Sequence, residues 1–160
     1  MREKTCCFTG HRNIPSGMER KLFRVTEKIV ETAIEDGYRY FGAGGALGFD
    51  TIAALVVLKL KERYPNIKLI LVLPCLTQTK GWKKEDVAIY EDIKRKADKV
   101  VYTSQEYKRG CMYKRNRHLV DNSSLCICYL TNVDGGTFYT VNYAKGENLE
   151  IVNIVEKMKF

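Results

Sequence analysis

Short apolar runs that stop at glycine or proline recur along this chain, each followed by an amphipathic segment. The clearest is Ile67 to Leu73, IKLILVL, closed by Pro74. A near-continuous apolar strand needs both faces covered, as in a parallel sheet between helices. Parallel strands are joined by crossovers, normally helices laid on the sheet faces with right-handed connection. The alternation therefore predicts an α/β fold, a Rossmann-like three-layer sandwich with a mainly parallel central sheet.

The individual segments fit that pattern. Thr5 to Thr9 reads as a first buried strand ended by Gly10. Ser16-Gly17-Met18-Glu19 has the spacing of a capping box, and Leu22, Val25, Ile29 and Ala33 then recur at helical intervals up to Gly37. Tyr38 to Gly42 reads as the second strand. Asp50 precedes a helix with Ile52, Leu55, Val56 and Leu60 on its apolar side, ended by Tyr64-Pro65. After Ile67 to Leu73 the pattern predicts a helix over Glu85 to Ala97, a strand over Lys99 to Tyr102 and a helix over Cys111 to Asp121. A strand over Leu125 to Leu130, a helix from Gly135-Gly136 to about Lys145 and a closing strand over Glu150 to Val155 complete it. No repeat, low-complexity tract or linker interrupts residues 1–160, which are expected to form one domain.

Composition narrows the partners. No apolar run approaches the ~20 residues that cross a bilayer, and Met1 to Thr9 passes into a glycine turn without a leader-like apolar stretch, so a cytoplasmic protein without membrane contact is expected. The net charge of +8 favours an anionic partner, but the basic residues are spread over several helices, so nucleic acid is the less favoured one. Of the cysteines, Cys6, Cys7, Cys75, Cys126 and Cys128 fall in or beside apolar strands and read as buried thiols, as does Cys111. Cys126-x-Cys128 lacks a second ligand pair, and with only His11 and His118 no metal site is expected. The apolar helices are compatible with a homo-oligomer, which no sequence feature specifies.

In an open α/β sheet the ligand crevice lies outside the carboxyl ends of the strands. Three such ends here run straight into glycine turns. In Thr9-Gly10-His11-Arg12, glycine admits close backbone approach to an anion and Arg12 offers a planar fork for phosphate; a plain tight turn with a structural His11 is the alternative. Gly42-Ala43-Gly44-Gly45-Ala46-Leu47-Gly48-Phe49-Asp50 joins a strand to a helix, where free N–H groups and the helix dipole attract an anion. It is neither the dinucleotide fingerprint nor a P-loop, and Asp50 has a simpler role available as a helix cap. Asp134-Gly135-Gly136-Thr137 again offers N–H groups and a hydroxyl, with Thr137 as an ordinary cap in the alternative.

Helix geometry singles out two more residues. On a wheel of 100° per residue, Arg115 and Asn116 fall on the apolar half of Cys111 to Asp121 with Met112, Leu119 and Val120, while Lys114, Arg117 and His118 project into solvent. A charge on a core-facing side must be compensated, so Arg115 either pairs with a buried carboxylate such as Asp50 or reaches a bound phosphate. Trp82, in the loop after the third strand, could stack on a base as a lid or simply pack.

The ordered set FTGHR, GGALGFDTIAA, LVLPC, GW, ADKVVY, CMYKRNRHLVD and GGTFYTVNYA resembles the bacterial and phage YpsA/YoqJ family over about residues 5 to 155. That family lies in the SLOG superfamily of Rossmann-like proteins, with the DNA-uptake protein DprA and the LOG cytokinin-activating phosphoribohydrolases. The resemblance implies a nucleotide-related ligand held by the first, second and last glycine turns. LOG enzymes use a glutamate following a PGGxGTxxE motif. Here Gly135-Gly136-Thr137-Phe138-Tyr139-Thr140-Val141-Asn142 has no proline before it and no glutamate after it, which argues against hydrolysis. Gly48-Phe49-Asp50 resembles the GxD turn of DprA-like single-strand binders, yet no row of stacking aromatics beside a basic groove is evident.

The expected function is binding of a phosphate-bearing nucleotide or nucleotide derivative, as sensor or sequestering protein. A nucleoside-monophosphate N-glycosidase and a single-strand nucleic-acid binder are the alternatives. No cofactor is implied beyond that ligand.

Overall fold

The computed structural model describes residues 1–158. Its strands are β1 (Thr5–Gly10), β2 (Tyr40–Ala43), β3 (Lys68–Leu73), β4 (Lys99–Tyr102), β5 (Leu125–Tyr129) and β6 (Glu150–Asn153). The helices are α1 (Glu19–Glu35), α2 (Phe49–Lys61), α3 (Lys84–Lys96), α4 (Cys111–Asp121), α5 (Gly135–Gly146) and the short α6 (Ile154–Lys157), after a 3-10 turn at Arg2–Lys4. Every strand pairing is parallel, in the order β4-β3-β2-β1-β5-β6. The α/β, Rossmann-like fold is as the alternation predicts, and the sheet is wholly rather than mainly parallel.

Alternate strand residues separate into two cores. Cys6, Phe8, Phe41, Leu69, Leu71, Leu73 and Ile127 pack with Leu22 and Val30 of α1, Val56 and Leu60 of α2, and Tyr90 and Ile93 of α3. Cys7, Val72, Cys126 and Cys128 face the other way, onto Leu119 and Val120 of α4 and Val141 and Ala144 of α5. Complete burial of Phe8, Phe41 or Phe49 contributes about 2–3 kcal/mol each, so this layering is strongly specified. All the cysteines are buried and free, as their apolar setting predicts.

Several boundaries differ from the sequence reading. The apparent capping box is not used: α1 begins at Glu19, so its N-cap is Met18 and not Ser16, and the Met18 thioether makes no side-chain cap bond. Asp50 lies inside the first turn of α2, whose N-cap is Gly48. Helix α2 buries Phe49, Ala53, Ala54, Val56, Val57 and Leu60, a wider set than one stripe, since it is wedged between α1, α3 and the sheet. The last strand stops at Asn153, where the Asn153 side chain accepts from Val155 N–H and starts α6. Among the described residues no helix is long and apolar enough to cross a membrane.

Candidate ligand site at the carboxyl rim

From β1 the chain builds the sheet outward through β2 and β3 to β4, then crosses to β5 and β6 on the other side. The direction reverses between β1 and β5, so the loops leaving their carboxyl ends diverge and open a crevice there. Gly10 and Tyr129, the last residues of these strands, are paired across it. His11 ties the rim together. Its Nε2 accepts Thr131 N–H at 3.0 Å, its ring meets Tyr129 edge-on at 5.7 Å, and its carbonyl accepts Phe49 N–H at 3.1 Å. Accepting at Nε2 requires a neutral imidazole protonated at Nδ1. Burial holds the His11 pKa below its ordinary value, with Asp134 opposing.

The second glycine turn is organised around buried charge. Gly48 has φ of 81°, and a Cβ there would stand 2.2 Å from the Arg12 carbonyl oxygen, so only glycine fits. Asp50, 7% exposed, accepts Ala46 N–H at 3.3 Å. Arg115, 4% exposed, donates from Nε to Asn116 Oδ1 at 2.7 Å, from Nη1 to the Gly44 carbonyl, and from Nη2 to Met112 Sδ at 3.7 Å. Arg115 is buried as the helical wheel predicts, but it forms no contact ion pair with Asp50; the two interact across the space around Gly44. Burial raises the Asp50 pKa, opposed first by the Arg115 guanidinium, then by Ala46 N–H and Arg12. Burial likewise lowers the Arg115 pKa, opposed by Asp50. Phe49 and Ala46 N–H groups are thus already bonded within the protein, and the expectation of a fully open N–H nest here holds only in part.

The third turn is the open one. Asp134 is the N-cap of α5 without a side-chain cap bond, its carboxylate instead accepting from Asn132 Nδ2 at 2.8 Å. Among the described residues the Gly135, Gly136 and Thr137 N–H groups have no hydrogen-bond partner, and nothing lies within 4 Å of a Cβ placed on Gly135 or Gly136. The positive end of the α5 dipole therefore faces free space.

Two adjoining clefts result. A cell of about 160 Å³ is lined by Thr9, Gly10, Arg12, Ala46, Asp50, Met112, Arg115, Asn116, Gly136 and Thr137, so all three turns reach it. A cleft of about 490 Å³ shares Gly10, Arg12, Gly136 and Thr137 with it and adds His11, Asn13, Thr131, Asn132, Asp134 and Gly135. Arg12 is exposed and has no hydrogen bond or ion pair among the described residues. Two guanidinium groups, free helix N–H groups and two threonine hydroxyls make the cell suited to an oxyanion.

Of the residues the sequence singled out for the ligand, Gly44, Gly45, Gly48 and Trp82 line neither cleft. The Trp82 ring packs edge-on against Tyr90 at 5.5 Å, on the main core. Gly45, with φ of 73°, backs onto Leu73, Gln78 and Tyr90. Sequence reasoning missed Gln78, a buried amide that accepts from Tyr90 Oη at 3.2 Å and donates to the Gly44 carbonyl at 3.4 Å. A polar loop gave no sign of it. It also missed Asn13, Thr131 and Asn132, although the place of the last two between the end of β5 and the glycine turn was a usable signal. Another groove of about 500 Å³, lined by Val25, Ile29, Tyr38, Leu125 and Val152, lies toward the amino ends of the strands, away from the three glycine turns of the carboxyl rim.

Comparison with known proteins agrees with this architecture. The chain is 29% identical over 140 residues to the SPbeta prophage-derived protein YoqJ of Bacillus subtilis (strain 168), covering 80% of each chain. It is 33% identical over 152 residues to a UPF0398 protein of Bacillus thuringiensis (strain Al Hakam), covering 89% of this chain and 83% of that one. Among solved structures, DNA processing protein A (DprA) from Streptococcus pneumoniae superposes with a TM-score of 0.66 at 16% identity over 93% of this chain, which spans about half (49%) of that protein. DNA processing protein A from Helicobacter pylori, described for its single-stranded DNA binding mode, gives 0.66 at 14% identity, covering 96% of this chain and 70% of that one. These two share the fold. The YpsA family model, described as the YspA SLOG family, matches residues 7–154, and the chain belongs to that family.

Proposed function

We propose that this protein binds a phosphate-bearing nucleotide or nucleotide derivative at the carboxyl rim, as a sensor or sequestering protein. The observation that carries the reading is the meeting of Gly10, Ala46 and Gly136 from three separate turns with Arg12 and Arg115 on one cell at the sheet's switch point. The open N-terminus of α5 seats the anion, Arg12 supplies an unpaired cation at the mouth, and the buried Arg115 neutralises charge from the floor. The adjoining cleft of about 490 Å³ accommodates the remainder of the ligand. Calorimetry against AMP, ADP-ribose, NAD and cyclic nucleotides tests this. Saturable binding to at least one, weakened by Arg12→Ala and by Gly136→Val, is the expected result.

A second reading is single-stranded nucleic acid. The structural neighbour from Helicobacter pylori is described as binding single-stranded DNA. Tyr113 and Tyr139, at the rim ends of α4 and α5, form an edge-to-face pair at 4.7 Å and are 42% and 41% exposed, with Arg117 donating to Tyr139 Oη at 3.0 Å. Exposed aromatics beside cations are what base stacking uses. A steep fall of affinity for an oligonucleotide with salt, together with weaker binding by Tyr113→Ala at every salt concentration, would favour it; a flat dependence eliminates it.

A further inference from the structure

The small cell contains a group that a phosphate alone does not want. A seat built only for an anion would be walled by donors, yet Asp50 lines this one beside Arg12 and Arg115. A carboxylate has about four acceptor sites, of which the Ala46 N–H takes one. Within the cell a ligand hydroxyl can donate to those that remain, whereas phosphate oxygens would be repelled. At about 160 Å³ the cell lies below the ~300 Å³ at which sites enclose whole small molecules, so it takes a fragment. Its walls present both demands of a sugar phosphate at once: cations and helix N–H groups for the phosphate, a carboxylate for hydroxyls.

We infer that Asp50 accepts a hydrogen bond from the free ribose hydroxyls of a ribonucleotide and so determines sugar specificity at this site. The inference rests on the nucleotide reading above and sharpens it. Internal deoxyribose units of DNA carry no free hydroxyl and would leave the Asp50 carboxylate facing phosphate without a donor. A site built to receive a hydroxyl rejects the analogue lacking it, because its own polar group is left unpaired.

The test is equilibrium binding of the four ribonucleoside 5′-monophosphates and their 2′,3′-dideoxy counterparts, to the unaltered protein and to Asp50→Asn and Asp50→Ala. For the base that binds, the ribonucleotide should be tighter by about tenfold or more, the scale of one hydrogen bond to a charged group. That preference should shrink to within about threefold in Asp50→Ala and be intermediate in Asp50→Asn. Should Asp50→Ala not fold, the unaltered protein and Asp50→Asn decide. Equal affinity for the two sugars, or a preference that survives both substitutions, overturns the role of Asp50 and leaves the nucleotide reading standing. No binding of any nucleotide overturns both.

Discussion

Arg115 donates to the carbonyl of Gly44, and a methyl group at Gly44 would lie 2.7 Å from Arg115 Nη1 and 2.9 Å from Asp50 Oδ2. The residue exists as glycine because a buried cation and a buried anion close on its Cα.

Gly44→Ala should therefore destabilise the protein by about 1–3 kcal/mol, the usual cost of forcing a carbon into a packed site. Gly136→Ala is the control. Nothing lies within 4 Å of a methyl there, and its φ is not positive, so stability should stay within about 0.5 kcal/mol. Urea denaturation of the two variants measures the contrast; equal losses would contradict the packing described around Gly44.

The fold was legible because hydrophobic period and glycine punctuation act locally: IKLILVL and LCICY are buried strands in any parallel sheet. Arg115 was legible for a similar reason, since helix geometry alone puts it on the face of Leu119. What the sequence hid depends on three-dimensional contact. Nothing local tells that Phe49 N–H is taken by His11 some 38 residues earlier, which leaves α5 rather than α2 as the open helix end. Gln78 is buried only because Tyr90 and Gly44 both need its amide. Trp82 could stack on a base or, as a lone tryptophan more often does, pack, and the proximity of Tyr90 gives it a packing place.

Removing the buried cation should expose its electrostatic role. In Arg115→Met the Asp50 carboxylate loses the strongest charge favouring its ionised form, so stability at neutral pH should fall by about 3 kcal/mol. The Asp50 pKa, already above its ordinary 3.8 through burial, rises further. The folded state then holds that proton more tightly than the unfolded chain. Acidification toward 3.8 therefore favours folding of the variant relative to the unaltered protein, and the gap between them should narrow. Adding Asp50→Asn should restore part of the loss at neutral pH. Denaturation at two pH values with the double variant measures each of these.

His11 couples the crevice to pH. Its Nε2 accepts Thr131 N–H, which an imidazolium cannot do, and its pKa lies below the ordinary 6.5. On acidification the unfolded chain takes up this proton first. The stability that neutral His11 contributes is whole above 6.5 and is lost as pH falls from there to the lowered folded value. Hydrogen exchange at Thr131, corrected for intrinsic rate, should show less protection at about pH 5.5 than at about pH 7.5. His11→Phe should remove both the protection and its pH dependence, whereas unchanged protection across that range would exclude the coupling.

Arg12 and Arg115 should separate cleanly when each is cut back to alanine. Arg12 is exposed with no bond or ion pair among the described residues, so Arg12→Ala should change stability by no more than about 0.5 kcal/mol. It stands at the junction of the two clefts, and its loss should weaken a phosphate-bearing ligand by about 1.5–3 kcal/mol, the scale of a charged hydrogen bond. Because the lost contact is to a phosphate, the salt dependence of binding should flatten as well. Arg115→Ala should instead lower both stability and affinity, since its guanidinium supports Gly44 and Asn116 from within the core. Melting temperature and calorimetric affinity, read for both variants at two salt concentrations, distinguish a cation that serves the ligand from one that also holds the fold. An Arg12→Ala protein that binds every nucleotide unaltered would remove the mouth of the cell from the site.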